Sequence, residues 1–284
     1  MKRLRRTVLV FVVATAPWLV APMAGAGTVT CLGFEATIVG TSRSDAIRGT
    51  PGVDVIAGLG GDDVIRGLGG EDKICGSRGR DRLIGGAATD IVSGDRGDDI
   101  VLGSRGSDLL IESPGNDLTD GGPGGDGSSF ALAFNGVDAD LATGTATGLG
   151  NDTLVRVEGL IGTIFDDVLT GNELVNEFIP LDGNDTVDGA GGSDYLSFLL
   201  SGNGVTASLK AGGAFGEGTD TFTSIENLVG SDSDDVLIGD AGDNQLSGSL
   251  GDDQLDGGNG TDVLDGGAGT DTCVNGETDI GCEA

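Results

Sequence analysis

An aspartate stands on every ninth residue through Asp45, Asp54, Asp63, Asp72, Asp81, Asp90, Asp99, Asp108, Asp117 and Asp126. Glycine-rich turns fill the intervals, as in Gly121-Gly122-Pro123-Gly124-Gly125-Asp126, and two residues after each aspartate an apolar side chain usually follows. A strict nine-residue period means one small unit stacked many times. It also sets a carboxylate at one fixed point of every unit. Stacking then builds a ladder of negative charge, and such a ladder requires a cation.

The beat returns twice. Residues 162–197 hold four more nonamers marked by Asp167, Asn176, Asp185 and Asp194, and residues 230–274 hold five marked by Asp235, Asn244, Asp253, Asp262 and Asp271. Two spacers, 130–161 and 198–229, interrupt it and resemble each other. Val137, Leu141, Gly150, Asp152, Glu158, Leu160 and Gly162 recur without a gap as Val205, Leu209, Gly218, Asp220, Glu226, Leu228 and Gly230. Val137 to Leu141 and Val205 to Leu209 alternate as strands do, and Leu154 to Leu160 and Phe222 to Leu228 read as strands returning to the stack. The expected architecture is all-β: a parallel β-roll, or β-solenoid, of GGxGxDxUx nonapeptides with two enlarged spacer coils. The first run covers 40–129, and short caps lie at 27–39 and 275–284.

Within one nonamer such as Gly257 to Asp265, the first six residues bend and the last three form a short strand whose middle residue points inward. The inward series of the first run is Ile47, Ile56, Ile65, Ile74, Leu83, Val92, Val101 and Leu110, weakening at Thr119 and Ser128. Two nonamers complete one flattened coil, so residues 18 apart should stack at about 4.8 Å. Such a coil has a thin core, because aromatic residues make up 4% of the chain and glycine contributes 56 residues. Stacked carboxylates and inward-turned glycine carbonyls suit an ion that takes 6–8 oxygens at about 2.3–2.6 Å, which favours calcium over the smaller, octahedral magnesium. The candidate ligands are all seventeen aspartates on the beat, and several calcium ions are expected. Weak or empty sites are expected at Asp45 and Asp90, where Arg43 and Ala88 replace a turn glycine, and at Asn176 and Asn244.

A net charge of -31 repels nucleic acid and anionic lipid and attracts divalent cations. Lys2, Arg3, Arg5 and Arg6 precede an apolar run from Val8 to Val20 and a small-residue cleavage site at Ala24-Gly25-Ala26, the pattern of a secretory signal at 1–26. A released extracellular product without membrane insertion is expected. Four cysteines in an exported chain favour two disulfides among three pairings, and locality favours Cys31–Cys75 and Cys273–Cys282. The absence of histidine excludes Ser-His-Asp and Cys-His chemistry, and no Gly-x-Ser-x-Gly elbow occurs, so an enzyme is not expected. The rival to a structural role is a calcium-dependent adhesin. A stripe of Val55, Val64, Ile91, Ile100, Leu102, Leu109 and Ile111 beside the core would contact a cell-surface or host ligand.

The nonamers resemble the RTX, or haemolysin-type, calcium-binding repeats of secreted bacterial proteins. The spacer segments Leu141-Ala142-Thr143-Gly144-Thr145-Ala146 and Ile225-Glu226-Asn227-Leu228 are similar to those found among such repeats. The resemblance implies a parallel β-roll with calcium ions between turns, held by the aspartates named above. Many such proteins carry the repeats beside a toxin or hydrolase domain and leave by a C-terminal signal. Here an N-terminal signal and a chain filled by repeats argue against transferring those activities.

Overall fold

A computed structural model describes residues 28–283, so the secretory signal expected at 1–26 lies outside the described residues. Among the described residues there is no helix, and hence none long and apolar enough to cross a membrane. The chain winds as a parallel β-roll. Alternate nonamers build a 13-stranded sheet, parallel throughout, from Ile38–Val39 to Thr278–Ile280. The nonamers between them build the opposing sheet, from Ala46–Arg48 to Cys282–Glu283. Ile47 pairs with Ile65 and Ile56 with Ile74, so residues 18 apart stack as the period requires. At the ends, Ile38–Val39, Thr278–Ile280 and Cys282–Glu283 join these sheets, while Thr30–Cys31 and Phe34–Glu35 pair only with each other.

Each spacer enlarges one coil. In the first, Asp138–Asp140, Thr145–Thr147 and Asn151–Val155 form an antiparallel meander. Its outer strands pair in parallel with Val168–Thr170 on one side and Leu118–Asp120 on the other. Thr206–Ser208, Gly213–Phe215 and Thr219–Thr223 repeat this arrangement in the second. Two details depart from the sequence expectation. Neither Leu154 to Leu160 nor Phe222 to Leu228 is one strand: each is the end of one strand (Asn151–Val155, Thr219–Thr223), a corner, and the start of a strand in the other sheet (Gly159–Ile161, Asn227–Val229). The middle strand of each meander, which carries little apolar alternation, reverses the otherwise parallel order.

The inward side chains form two clusters, each one residue wide per strand. Ile56, Ile65, Ile74, Leu83, Val92, Val101 and Leu110 fill the first coils. A second cluster runs from Phe130 to Leu264 and includes the fully buried Phe178 and Phe198. Between them lie Thr119 and Ser128, both buried, and Glu112, which stands nine residues after Gly103 where glycine is the rule. The Ser128 hydroxyl donates to Glu112 Oε1 at 2.6 Å. Burial pushes the Glu112 carboxyl up to about 8, so near neutral pH the acid is largely protonated and fits an apolar surround. The polar step in the inward series is therefore a satisfied buried network.

A hairpin of Thr30–Cys31 and Phe34–Glu35 covers the outer face of the 13-stranded sheet at its first coils. Cys31 packs with Ala57 and Cys75, and Phe34 lies under the Lys73 ammonium, 4.5 Å from ring centroid to Nζ. Cys31 is bonded to Cys75 and Cys273 to Cys282, with Cα atoms 5.6 and 5.8 Å apart. These bonds close loops of 44 and 9 residues. Loop-closure entropy sets their contributions at about 4 and about 2.6 kcal/mol. Both fasten an end of the roll, where a coil has a neighbour on one side only.

Candidate metal sites

The carboxylates of the beat line the two edges of the roll, where the glycine turns connect one sheet to the other. Their Oδ1 atoms do the same thing at coil after coil. Asp63 Oδ1 accepts from the backbone N–H of Asp45 at 2.8 Å, Asp81 from Asp63 at 2.7 Å, and Asp99 from Asp81 at 2.7 Å. The other edge repeats the bond from Asp54 to Asp72, Asp90, Asp108 and Asp126. Later runs continue it at Asp185, Asp194, Asp253, Asp262 and Asp271. Each aspartate thus satisfies one buried donor of the preceding coil.

The second oxygen divides the aspartates into two classes. In the first turns of each run it is capped from within. The backbone N–H four residues earlier donates to Oδ2 of Asp45, Asp54, Asp167 and Asp235 at 2.6–2.7 Å, from Thr41, Thr50, Thr163 and Ser231. Asn176 and Asn244 receive the same bond at Oδ1, from Asn172 and Asp240. Their Nδ2 atoms donate to the Glu158 and Glu226 carbonyls, a bond that a carboxylate could not make. That requirement accounts for asparagine at these two beats.

In the interior turns the cap is absent. The Oδ2 atoms of Asp63, Asp72, Asp81, Asp90, Asp99, Asp108, Asp126, Asp185, Asp194, Asp253 and Asp262 are buried and have no hydrogen-bond partner. The cause is local. In each of these turns the residue four before the aspartate has positive φ, as at Leu59 (78°), Ser77 (83°), Asp95 (68°) and Ala190 (65°). In the capped turns that residue is not left-handed. A left-handed residue there leaves Oδ2 without its cap. Asp117 falls between the classes, because the Ser113 hydroxyl reaches its Oδ2 at 3.3 Å. The replacement of glycine by Ala88 does not set Asp90 apart: Ala88 takes φ 91° and Asp90 keeps the geometry of its neighbours.

Backbone carbonyls join the unpartnered oxygens. A Cβ placed on Gly58 would lie 2.5 Å from Asp63 Oδ2 and 2.7 Å from the Gly76 carbonyl oxygen, and one on Gly85 would meet Asp90 Oδ2 at 2.5 Å and Gly103 O at 2.8 Å. Only glycine leaves that space open. Among the described residues no three carboxylate or thiolate side chains gather at one point, so a cation would draw most of its oxygens from the main chain. Unpartnered, buried, all-oxygen donors fit a hard cation and not a thiolate- or imidazole-seeking one.

Ionised carboxylates in these positions are costly without a counterion. Burial pushes Asp81 and Asp90 up to about 7 and Asp185 to about 8, with like charges on neighbouring coils adding to the shift. Raised values mean that the ion-free coil holds protons more tightly than the unfolded chain does. Its stability is then greatest below the ordinary carboxylate range and falls as pH rises through about 6 to 8. In EDTA the β circular dichroism should accordingly be stronger at pH 5 than at pH 8.5. The opposite order would show that these carboxylates are not strained by burial.

The spacers and the C-terminal segment supply ladder members that the beat does not mark. Asp152 accepts from Asp117 N–H at 2.9 Å and Asp220 from Asp185 at 3.1 Å. On the other edge Glu158, Glu226 and Glu277 accept from Asp126, Asp194 and Asp262 through their longer side chains. Sequence reasoning left these five out, although the recurrence of Asp152 as Asp220 and Glu158 as Glu226 was the available signal. A second, outer ladder also exists. Asp62, Asp98 and Asp252, each one residue before a beat, accept from the N–H of the next coil, at Arg80, Asn116 and Thr270.

A family model described as the RTX calcium-binding nonapeptide repeat (4 copies) matches residues 39–74, 76–110, 181–198, 220–255 and 238–273, half of the chain. The chain belongs to the RTX calcium-binding nonapeptide repeat family. Comparison with curated proteins finds no match. In this RTX chain the family match passes over 111–180, which holds the first spacer and its Asp152 and Glu158.

Proposed function

We propose that this RTX chain is a secreted structural protein that folds by taking up several calcium ions between its stacked turns, without catalysis, in an extracellular matrix. The observation that carries the reading is the file of buried carboxylate oxygens with no donor, repeated at coil after coil on both edges. Each is an anionic ligand atom already removed from water and waiting for a positive charge. Binding free energy at such positions is folding free energy, because the ligand set does not exist in the unfolded chain. A chain without histidine also has no Ser-His-Asp triad and no Cys-His pair. Export rests on the basic and apolar leader and on two disulfides.

Calorimetric titration of the mature protein with calcium tests this. Binding of more than two ions per chain is expected, and a plateau at one or two would end the reading.

One observation favours a second reading, a calcium-dependent adhesin. Phe134 is 82% exposed and lines a groove with Leu132, Ile111 and Leu149 at the first spacer. The stripe expected to serve that role is less open, since Val55, Val64, Ile91, Ile100, Leu102 and Leu109 are half-buried and Ile111 is buried. Capture of a cell-surface ligand in calcium, lost in Phe134→Ser, would support the adhesin, and equal capture by both would remove it.

A further inference from the structure

We propose that Asp152, in the first spacer and off the nine-residue beat, holds a calcium ion of its own; this rests on the calcium reading above. The interior aspartates that lack a capping donor share three features, and Asp152 has all of them. Its Oδ1 accepts from the backbone N–H of the aspartate one coil back, Asp117, although 35 residues and not 18 separate the two. The residue four before it, Gly148, is left-handed with φ 124°, so the turn is of the uncapped kind. The side chain is 2% exposed and Oδ2 is buried without a partner. A buried carboxylate oxygen with no donor costs free energy unless a cation meets it.

The beat aspartate that follows the spacer shows what the alternative looks like. Asp167, which receives the returning chain through Val137 N–H, has Oδ2 closed by Thr163 N–H at 2.6 Å. Asp152 closes the first run and Asp167 opens the second. The ion-ready turns therefore extend one coil beyond the last beat of the first run. In the second spacer Asp220 repeats the frame, with Gly216 at φ 149°, 2% exposure and a bond from Asp185 N–H. The ligand class is a hard divalent cation taken up by oxygen alone.

The competing account is that Asp152 is only a hydrogen-bond acceptor for Asp117. Asp152→Asn separates the two, because the amide keeps an acceptor and loses the charge. Equilibrium dialysis of the full mature chain should show one calcium fewer for Asp152→Asn than for the wild type. The control Asp138→Asn, at an exposed carboxylate of the same spacer, should bind as many as the wild type. Equal uptake by a folded Asp152→Asn would overturn the inference. A direct reading on the wild-type chain does not depend on the variant folding. In crystals grown with terbium, anomalous density should lie within about 2.3–2.6 Å of Asp152 Oδ2. Terbium at Asp81 and Asp90 with none at Asp152 would overturn this site alone. Terbium at none of them would overturn the calcium reading itself.

Discussion

In EDTA at neutral pH the protein loses its β circular dichroism, and millimolar calcium restores it. The expectation follows from what the roll must hold together without ions. Its interior is a file of single side chains such as Ile74, Leu83 and Val92, one for each strand of three to six residues. Each contributes about 1.5–3 kcal/mol, against a backbone cost of about 1–2 kcal/mol for every one of the nine residues ordered with it. Glycine raises that cost further. On both edges the carboxylates stack coil on coil, and those of the interior turns carry an oxygen that no donor reaches. Burial raises the affinity of these carboxylates for protons, and the like charges of neighbouring aspartates raise it further. A calcium ion between turns reverses that sign and adds its binding free energy to folding. Because each coil touches only its neighbours, loss of the ions removes support along the whole roll. Identical spectra in EDTA and in calcium would mean that the apolar file is sufficient alone.

Most of this architecture was readable because a single period controls it. The nine-residue beat placed Ile47 on Ile65 and Ile56 on Ile74, and these are the pairs that the sheets form. The recurrence of the spacers announced two alike interruptions, and both are antiparallel meanders inserted at equivalent coils. The division of the aspartates was not readable from their spacing. It depends on the backbone conformation four residues earlier, and residue type states that poorly. Leucine at 59, 68 and 181 is left-handed, at φ 78°, 88° and 71°, where glycine would be the sequence expectation. The capped turns left a fainter mark. Thr41, Thr50, Thr163, Asn172, Ser231 and Asp240 are all residues that favour local hydrogen bonds to their own backbone, although Ser77, Asp95, Ser104 and Ser249 hold the same place in uncapped turns. Glu112 was missed for another reason. It stands where glycine is the rule, and only the burial of Thr119 and Ser128 beside it explains a carboxyl there.

Gly97→Ala is expected to weaken the folded, calcium-saturated protein by about 3 kcal/mol, the sum of two separate penalties. The first is conformational. Gly97 has φ 137°, and an L-residue with a side chain in the left-handed region costs about 1–2 kcal/mol. The second is spatial. A Cβ at this position would run into the carbonyl oxygen of Gly79 on the preceding coil, which is main chain and cannot rotate away. Forcing extra volume into a tight contact costs about 1–3 kcal/mol. Ala88 occupies the equivalent place in another turn and is tolerated at φ 91°, so the coil has a route to partial relief. Relief at Gly97 would draw the backbone toward that value and disturb the turn that ends in Asp99, next to an unpartnered carboxylate oxygen. Calcium affinity should therefore fall together with thermal stability. Gly52→Ala is the control, because its φ is not left-handed and the nearest atom to its Cβ is Thr50 Oγ1 at 3.8 Å. That substitution should change stability by less than about 1 kcal/mol, with a small gain from the stiffer unfolded chain. Thermal unfolding of both variants in saturating calcium decides the matter. Equal melting temperatures would show that the turns are looser than the backbone contact between Gly79 and Gly97 requires.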